Sequence, residues 1–171
     1  GNAGSVFVAA AGNDSNNNSA NPSYPASYLA SNVLAVGGYA RDGSLYSSTN
    51  YGFGLVDVAA PAVSVYSTHH VSDSAYAWMT GTSMATPHVS GIAALVRAQF
   101  PGESPRQTIH RIQRAVERVE AWKGKFTFPG RANLRMALEG TSSAPPNDDF
   151  ADAIELPADG ARVRASMEGA T

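Results

Sequence analysis

The sequence predicts an α/β fold built on a mainly parallel sheet, and two stretches of the chain carry that prediction. Residues 5–11 (SVFVAAA) form a continuous apolar run that is closed by Gly12 and Asn13. Such a run is typical of a strand that is buried on both faces of a parallel sheet. Residues 84–100 are apolar on nearly every side, so we expect a central, buried helix that begins at Ser83.

Further strands and a short helix are predicted along the rest of the chain. Short apolar stretches bounded by turn residues indicate three more strands, at residues 32–38, 55–60 and 63–66. Residues 133–139 are expected to form a short helix that ends at Gly140.

The second helix has the clearest start signals. Ser104 can cap it, Pro105 fits the first helical position, and Gln107 completes a capping box. We expect an outer, amphipathic helix, because its apolar residues fall on one face: Ile109, Ile112, Val116 and Val119.

The composition changes near the C-terminus and predicts a boundary there. Residues 1–140 are expected to form one unit, and residues 141–146 (TSSAPP) have the small residues and prolines of a linker. Residues 147–171 alternate as strands do but are too few to fold alone, so we expect them to begin another unit. A disordered acidic extension is the alternative.

The overall composition excludes several classes of protein. Of 171 residues, 43% are hydrophobic and 15% are charged, which indicates a globular, soluble chain. The net charge is -2 without runs of like charge, so nucleic-acid binding is not expected. There is no cysteine, and the apolar runs are too short to span a bilayer. Since Gly1 is not a methionine and no signal peptide precedes the first strand, we expect a piece of a longer protein.

The strongest chemical signal is residues 81–88 (GTSMATPH), where Ser83 stands between a glycine-led turn and a buried helix. The first N–H groups of a helix have no partners within it, and the helix dipole favours negative charge beside them. A serine placed there can attack a carbonyl while its own N–H meets the developing oxyanion. By position alone, a simple helix cap is the more common role of such a serine.

The complete string resembles the nucleophile motif of the subtilisin-like serine peptidases. A second string, residues 8–13 (VAAAGN), resembles the family strand that ends at an asparagine whose amide donates to the oxyanion. By itself, Gly-Asn after a strand is an ordinary turn. Further resemblance extends almost continuously to Gly140, in the strings YPASY, NVLAVGG, NYG, VDVAAP and GRANL.

This resemblance implies a three-layer α/β sandwich, of which the chain holds the C-terminal part, and a serine endopeptidase that works through an acyl-enzyme. It assigns Ser83 as the nucleophile and Asn13 as an oxyanion donor. The implied substrate contacts are one wall of the pocket for the side chain before the cleaved bond, and the turn before the serine: Ala10, Ala11, Gly12, Gly81 and Thr82. Small wall residues suit bulky, uncharged side chains.

The family's catalytic aspartate and histidine have no matching motif in this sequence. His88 lies five residues after Ser83, off its helix face, and is expected to be a buried structural histidine. His69, His70 and His110 are expected at the surface, and Asp57 is expected to accept structural hydrogen bonds. The missing residues are therefore expected from a segment before Gly1, and the chain alone is expected to be inactive and poorly stable. A non-catalytic binding scaffold and a peptide acyl transferase remain alternatives.

Cofactors and partners are less sharply specified. The chemistry requires no cofactor, but structural calcium is compatible with Asp14 and residues 16–18, or with carbonyls near Ala26 and Tyr28. A solvated polar loop is the equal alternative at the first place. The resemblance implies a secreted monomer that acts on polypeptides. Residues 145–153 resemble the opening of β-sandwich modules that follow secreted bacterial peptidases.

Overall fold

The computed structural model describes residues 4–140. The predicted linker at 141–146 and the unit after it lie outside these residues. In chain order the described elements are β1 (Phe7–Ala10), β2 (Val33–Tyr39), β3 (Val58–Pro61), β4 (Val65–Thr68), β5 (Tyr76–Met79), α1 (Thr82–Gln99), α2 (Pro105–Arg114), β6 (Val116–Arg118), a 3₁₀ turn (Glu120–Trp122), β7 (Gly130–Ala132) and α3 (Leu134–Glu139).

The main sheet is mostly parallel, as predicted. Its strand order is β1-β2-β3-β7-β6, and every neighbouring pair is parallel except β6 with β7. Strands β4 and β5 form a separate antiparallel hairpin just before α1. Because parallel strands all point the same way, the loops that follow β1 and β2 emerge at one edge of the sheet.

The three α-helices pack on one face of the sheet. The largest core cluster joins Leu34 and Val36 of β2 and Val58 of β3 to buried residues of α1, α2 and α3. The opposite face is covered by loop residues and the 3₁₀ turn, through Trp122 and Phe126. One helical layer against one sheet agrees with a three-layer α/β sandwich of which this chain holds a part.

Helix α1 differs from its prediction in one respect. It begins at Thr82, one residue earlier than expected, and its buried residues are confined to one side: Thr82, Ala85, Val89, Ile92, Ala93 and Val96. The other side is exposed, although it holds Pro87, Gly91 and Leu95, and Leu95 is 49% exposed. The expectation of a helix buried all round is therefore wrong for the described chain, in which this side is exposed.

Helix α2 confirms the capping box. The Ser104 hydroxyl accepts a hydrogen bond from Gln107 N, and the Gln107 side chain accepts one from Ser104 N at 2.9 Å. Two of the four residues predicted for its apolar face, Ile109 and Ile112, are buried on the helix. Val116 and Val119 lie beyond it, because the chain leaves the helix at Ala115 to pair β6 with β7.

The short third helix also agrees with its prediction. Asn133 caps it by accepting a hydrogen bond from Met136 N at 3.1 Å, and Gly140 ends it with a left-handed φ of 72°. Three short strands, β5, β6 and β7, were not predicted. Each has only three or four residues and depends on its partner strand rather than on a local apolar pattern.

Candidate active site

Ser83 and Asn13 are brought to neighbouring positions at one edge of the sheet. Ser83 is the second residue of α1 and is exposed, and Asn13 is in the exposed loop that follows β1. The Asn13 amide oxygen, Oδ1, accepts a hydrogen bond from the backbone N–H of Thr82 at 2.8 Å. The loop after β1 is thus joined directly to the residue before Ser83.

The orientation of the Asn13 amide follows from its partners. The Thr82 hydroxyl lies 3.2 Å from the same Oδ1 atom, in addition to the Thr82 N–H. A backbone N–H needs an acceptor, so the amide oxygen must face Thr82 and the amide nitrogen, a donor, must face away from it. This leaves Asn13 Nδ2 as the group available to an incoming oxyanion.

Gly81 makes this close approach of loop and helix possible. Its φ of +153° is in the region that favours glycine, and a Cβ built on it would lie 3.4 Å from Asn13 Oδ1. Its N–H donates to Ala62 O at 2.9 Å, which fixes the turn to the loop after β3. A side chain at position 81 would therefore be strained by the backbone conformation and would touch the asparagine at ordinary contact distance.

Two of the predicted substrate contacts point into the protein. Ala11 and Thr82 are fully buried, and the Thr82 hydroxyl lies 3.3 Å from both the N and the O of Gly12. Neither side chain is therefore accessible to a substrate in the described chain. The assignment of Ala10, Ala11, Gly12, Gly81 and Thr82 as substrate contacts stays a prediction.

The pocket that contains Ser83 lies on the other side of the serine. It has a volume of about 410 Å³ between the β4–β5 hairpin and the first turns of α1. Met79, Met84 and Pro87 give it an apolar lining, and His88 lies at its border. The sequence did not predict this pocket, because the hairpin depends on the unpredicted strand β5.

The four histidines all lie in the described part of the chain. His88 is exposed, so its prediction as a buried residue is wrong, and its Nδ1 lies 2.8 Å from Met84 O of the preceding helical turn. The ring is therefore tied to its own helix. His69 and His70 lie in the β4–β5 loop with ring centroids 4.4 Å apart, and His110 is on α2.

Asp57 is far from the serine, at the opposite edge of the sheet, because it immediately precedes β3. Its carboxylate accepts hydrogen bonds from Ala35 N at 2.7 Å and from Gln113 Nε2 at 2.9 Å. Burial raises its pKa to about 6, against the opposing effect of these two donors. Its interpretation as a structural acceptor is confirmed by these contacts.

The polar loop after Asn13 offers few free oxygen ligands. Within residues 4–140 no group of three or more His, Asp or Glu side chains is placed to hold a metal ion. Asn17 Oδ1 accepts from Ser19 N, and Asn18 Oδ1 accepts from the side chains of Asn16 and Asn50. These two oxygens already accept hydrogen bonds from the protein, and structural calcium stays a prediction. No described helix has the length and hydropathy needed to cross a membrane.

Comparison with known proteins finds a family model that matches most of this chain, and relatives that include a serine proteinase. A model of the subtilase family matches residues 1–148. Thermitase from Thermoactinomyces vulgaris is 41% identical over 138 residues, which cover 81% of this chain and 46% of thermitase. A thermophilic serine proteinase from a Bacillus species, strain AK1, is 42% identical over 137 residues, which cover 80% of this chain and 31% of that protein. The chain thus spans less than half the length of either relative.

Solved structures agree on the fold. A chain from a study of the assembly of the subtilase cytotoxin SubAB has a TM-score of 0.69 with this structure and 23% sequence identity. The similarity covers 79% of this chain and 48% of that chain. It supports the mainly parallel α/β architecture.

Proposed function

This chain belongs to the subtilase family, and on that premise we propose that it supplies the nucleophile and one oxyanion donor of a serine endopeptidase. The nucleophile is Ser83 and the donor is the side chain of Asn13. The catalytic histidine and aspartate come from the part of the protein outside this chain. The substrates are polypeptides, and the protein is a secreted monomer.

In the proposed reaction the Ser83 hydroxyl oxygen adds to the scissile carbonyl carbon while its proton passes to the histidine. The carbonyl oxygen becomes an oxyanion, held by Asn13 Nδ2 and by the Ser83 N–H at the positive end of α1. The C–N bond then breaks, and the histidine returns the proton to the leaving amine. Water hydrolyses the resulting ester and frees Ser83.

One observation supports this arrangement above the others: the 2.8 Å hydrogen bond from Thr82 N–H to Asn13 Oδ1. It places an amide donor next to the residue that precedes the serine, and it turns the nitrogen of that amide away from Thr82. A serine that only capped the helix would accept a hydrogen bond from the first turn. In this structure the N-cap position of α1 is Gly81, and Ser83 is the second residue of the helix.

The nucleophile is tested in the complete protein, with casein as an unstructured substrate. We expect Ser83→Ala to reduce kcat by more than about 10⁴-fold, because a triad without its nucleophile keeps only residual catalysis. A sulfonyl fluoride is expected to form an adduct at Ser83 that peptide mass spectrometry locates. The isolated 171-residue chain is expected to show no turnover. Steady cleavage by that chain, or full activity of Ser83→Ala, would contradict the proposal.

The oxyanion donor is tested by Asn13→Leu, which keeps a similar volume and removes the amide. Loss of one oxyanion donor typically costs about 10²- to 10³-fold in kcat, a magnitude measured in a subtilisin and carried over here. We expect a loss of that size with little change in KM. Unchanged kcat would remove Asn13 from the mechanism.

Two alternatives from the sequence give different results in the same assays. A non-catalytic scaffold would give no turnover in the complete protein and no adduct at Ser83. A peptide acyl transferase would convert an added amine into a new amide product at the expense of hydrolysis. Mass analysis of the products with and without the amine therefore separates the three functions.

A further inference from the structure

Two buried asparagines lie directly behind the loop that carries Asn13. Asn18 is fully buried and Asn50 is 1% exposed. Burying a side-chain amide is costly unless its donors and acceptors are satisfied. Both amides are satisfied, and most of their partners belong to residues 11–16, the segment on either side of Asn13.

Asn50 holds both peptide groups that flank Asn13. Its backbone N–H donates to Gly12 O at 2.9 Å, on one side of Asn13. Its side-chain Oδ1 accepts from Asp14 N at 2.8 Å, on the other side, and from Asn16 N at 3.1 Å. The backbone of Asn13 is therefore fixed before and after its Cα by one residue from a distant loop.

Asn18 in turn holds Asn50. The Asn50 amide nitrogen donates to Asn18 Oδ1 at 3.1 Å, and the Asn18 amide nitrogen donates to Ala11 O at 2.9 Å. The two amides thus form a chain of hydrogen bonds that starts at Asp14 and Asn16 and returns to Ala11. Such a network is rigid because each group has one satisfied geometry.

The packing at Gly12 shows how closely Asn50 approaches this loop. A Cβ built on Gly12 would lie 2.3 Å from Asn50 Nδ2, and the φ of Gly12 is +113°. Only glycine accommodates both the backbone conformation and the neighbouring amide. The side chain of Asn50 therefore occupies the space immediately beside the residue that precedes Asn13.

We propose that Asn50 is a positioning residue for the Asn13 oxyanion donor, with Asn18 holding Asn50 in place. This inference rests on the proposed function. The Asn13 side chain is set by Thr82 at its oxygen and by Asn50 through its backbone, so that Nδ2 is directed at one point. Asn50 does not touch the substrate; it acts through Asn13.

The expected kinetic effect follows from the sensitivity of catalysis to position. A displacement of about 1 Å can cost about 10²-fold in rate. We expect Asn50→Ala in the complete protein to lower kcat about 10- to 100-fold with KM changed less than about twofold. The reason is that Asn13 donates to the oxyanion only in the transition state, so misplacing its amide does not weaken the binding of the substrate. Asn21→Ala is the matched control, since Asn21 is exposed in the same polar segment. It should keep full kcat.

A double-mutant cycle separates positioning from loss of folded protein. Active-site titration with the sulfonyl fluoride gives the concentration of competent enzyme in every variant. Asn50→Ala should have little further effect in the Asn13→Leu background, because the group that it positions is already absent. A loss of kcat that is equal in both backgrounds would overturn the inference.

A variant that does not fold and a variant with full kcat have different consequences for the inference. If Asn50→Ala does not fold, Asn50→Ser is assayed in the same cycle, since its shorter side chain keeps a polar group at the site but cannot make all three side-chain contacts of Asn50. An undiminished kcat in either variant overturns the inference and leaves the proposed function standing. Full activity of Ser83→Ala or Asn13→Leu instead contradicts the proposed function itself, so the two failures are distinguishable.

Discussion

Helices α1 and α2 lie in the same layer of the molecule, yet their outer faces differ in character. Between Thr82 and Val96, helix α1 has no Asp, Glu, Lys or Arg. Its exposed side presents proline, glycine, alanine and leucine together with two serines and His88. The ten residues of α2 include three arginines, and Arg111 pairs with Glu103 and lies 3.8 Å over the Phe100 ring. Charged residues are thus spread along α2 but are missing from α1 before Arg97.

This difference indicates which helix face is exposed to solvent in the complete protein and which is covered by another part of it. Water-facing helices normally carry charged residues, and an apolar face without them is typical of a helix that another element covers. The chain spans less than half the length of its relatives. We therefore expect the rest of the complete protein to pack on the open face of α1, next to the exposed Ser83.

The largest expected effect comes from a charge on that open face. In the complete protein, Ala94→Asp should lower the free energy of unfolding by about 3 kcal/mol or more, because it buries an unpaired carboxylate. In the isolated chain, where Ala94 is exposed, the change should be about 0.5 kcal/mol. Urea unfolding of both forms measures the difference.

The matched control for this experiment is Arg106→Asp on the exposed side of α2. It should change the free energy of unfolding by no more than about 0.5 kcal/mol in either form. If Ala94→Asp is as mild in the complete protein as this control, the face of α1 is open there too. The lack of charged residues on α1 would then not indicate a covered face.

The second prediction concerns the hydrogen bond between Gln113 of α2 and Asp57, the residue that precedes β3. The pKa of Asp57 is raised to about 6 in the folded protein, above its ordinary value of 3.8. The folded state therefore binds this proton more readily than the unfolded state, so Asp57 contributes stability as the pH falls from about 7 to 4. The gain is about 2–3 kcal/mol at most.

Asp57→Asn removes this titration and should flatten that part of the stability curve. Urea unfolding of both proteins at several pH values between 4 and 7.5 provides the measurement. The other carboxylates still titrate in both proteins, so the difference between the two curves is the relevant quantity. A difference that does not vary with pH would show that Asp57 titrates normally.

The smallest expected effect is at the start of α2. Ser104→Ala removes the side-chain half of the capping box and should cost about 1 kcal/mol. Ser72→Ala, in the exposed loop between β4 and β5, is the control and should be neutral within about 0.5 kcal/mol. Equal midpoints of thermal unfolding for the two variants would show that the cap is not a determinant of α2.

Much of the candidate site could be predicted because its signals are local or resemble a family motif. Ser83 and Asn13 were singled out from short strings, and the structure places their segments side by side through Thr82. The Ser83 pocket and the roles of Asn18 and Asn50 could not be predicted. In the sequence Asn18 belongs to a predicted polar loop and Asn50 only to the string NYG, because a buried asparagine and a solvated one look the same in a sequence.

The sequence by itself determined strands β1 to β3, the start of α2 and the family, since apolar runs, caps and motifs depend on neighbouring residues alone. Only the tertiary structure decided that α2 ends at Arg114, that His88 is exposed in the described chain and that one side of α1 is uncovered there. The physical reason is that strand pairing and burial are properties of contacts between distant segments. The hydrophobicity of a segment can be read from its sequence, but its contacts with distant segments determine whether it is buried or exposed.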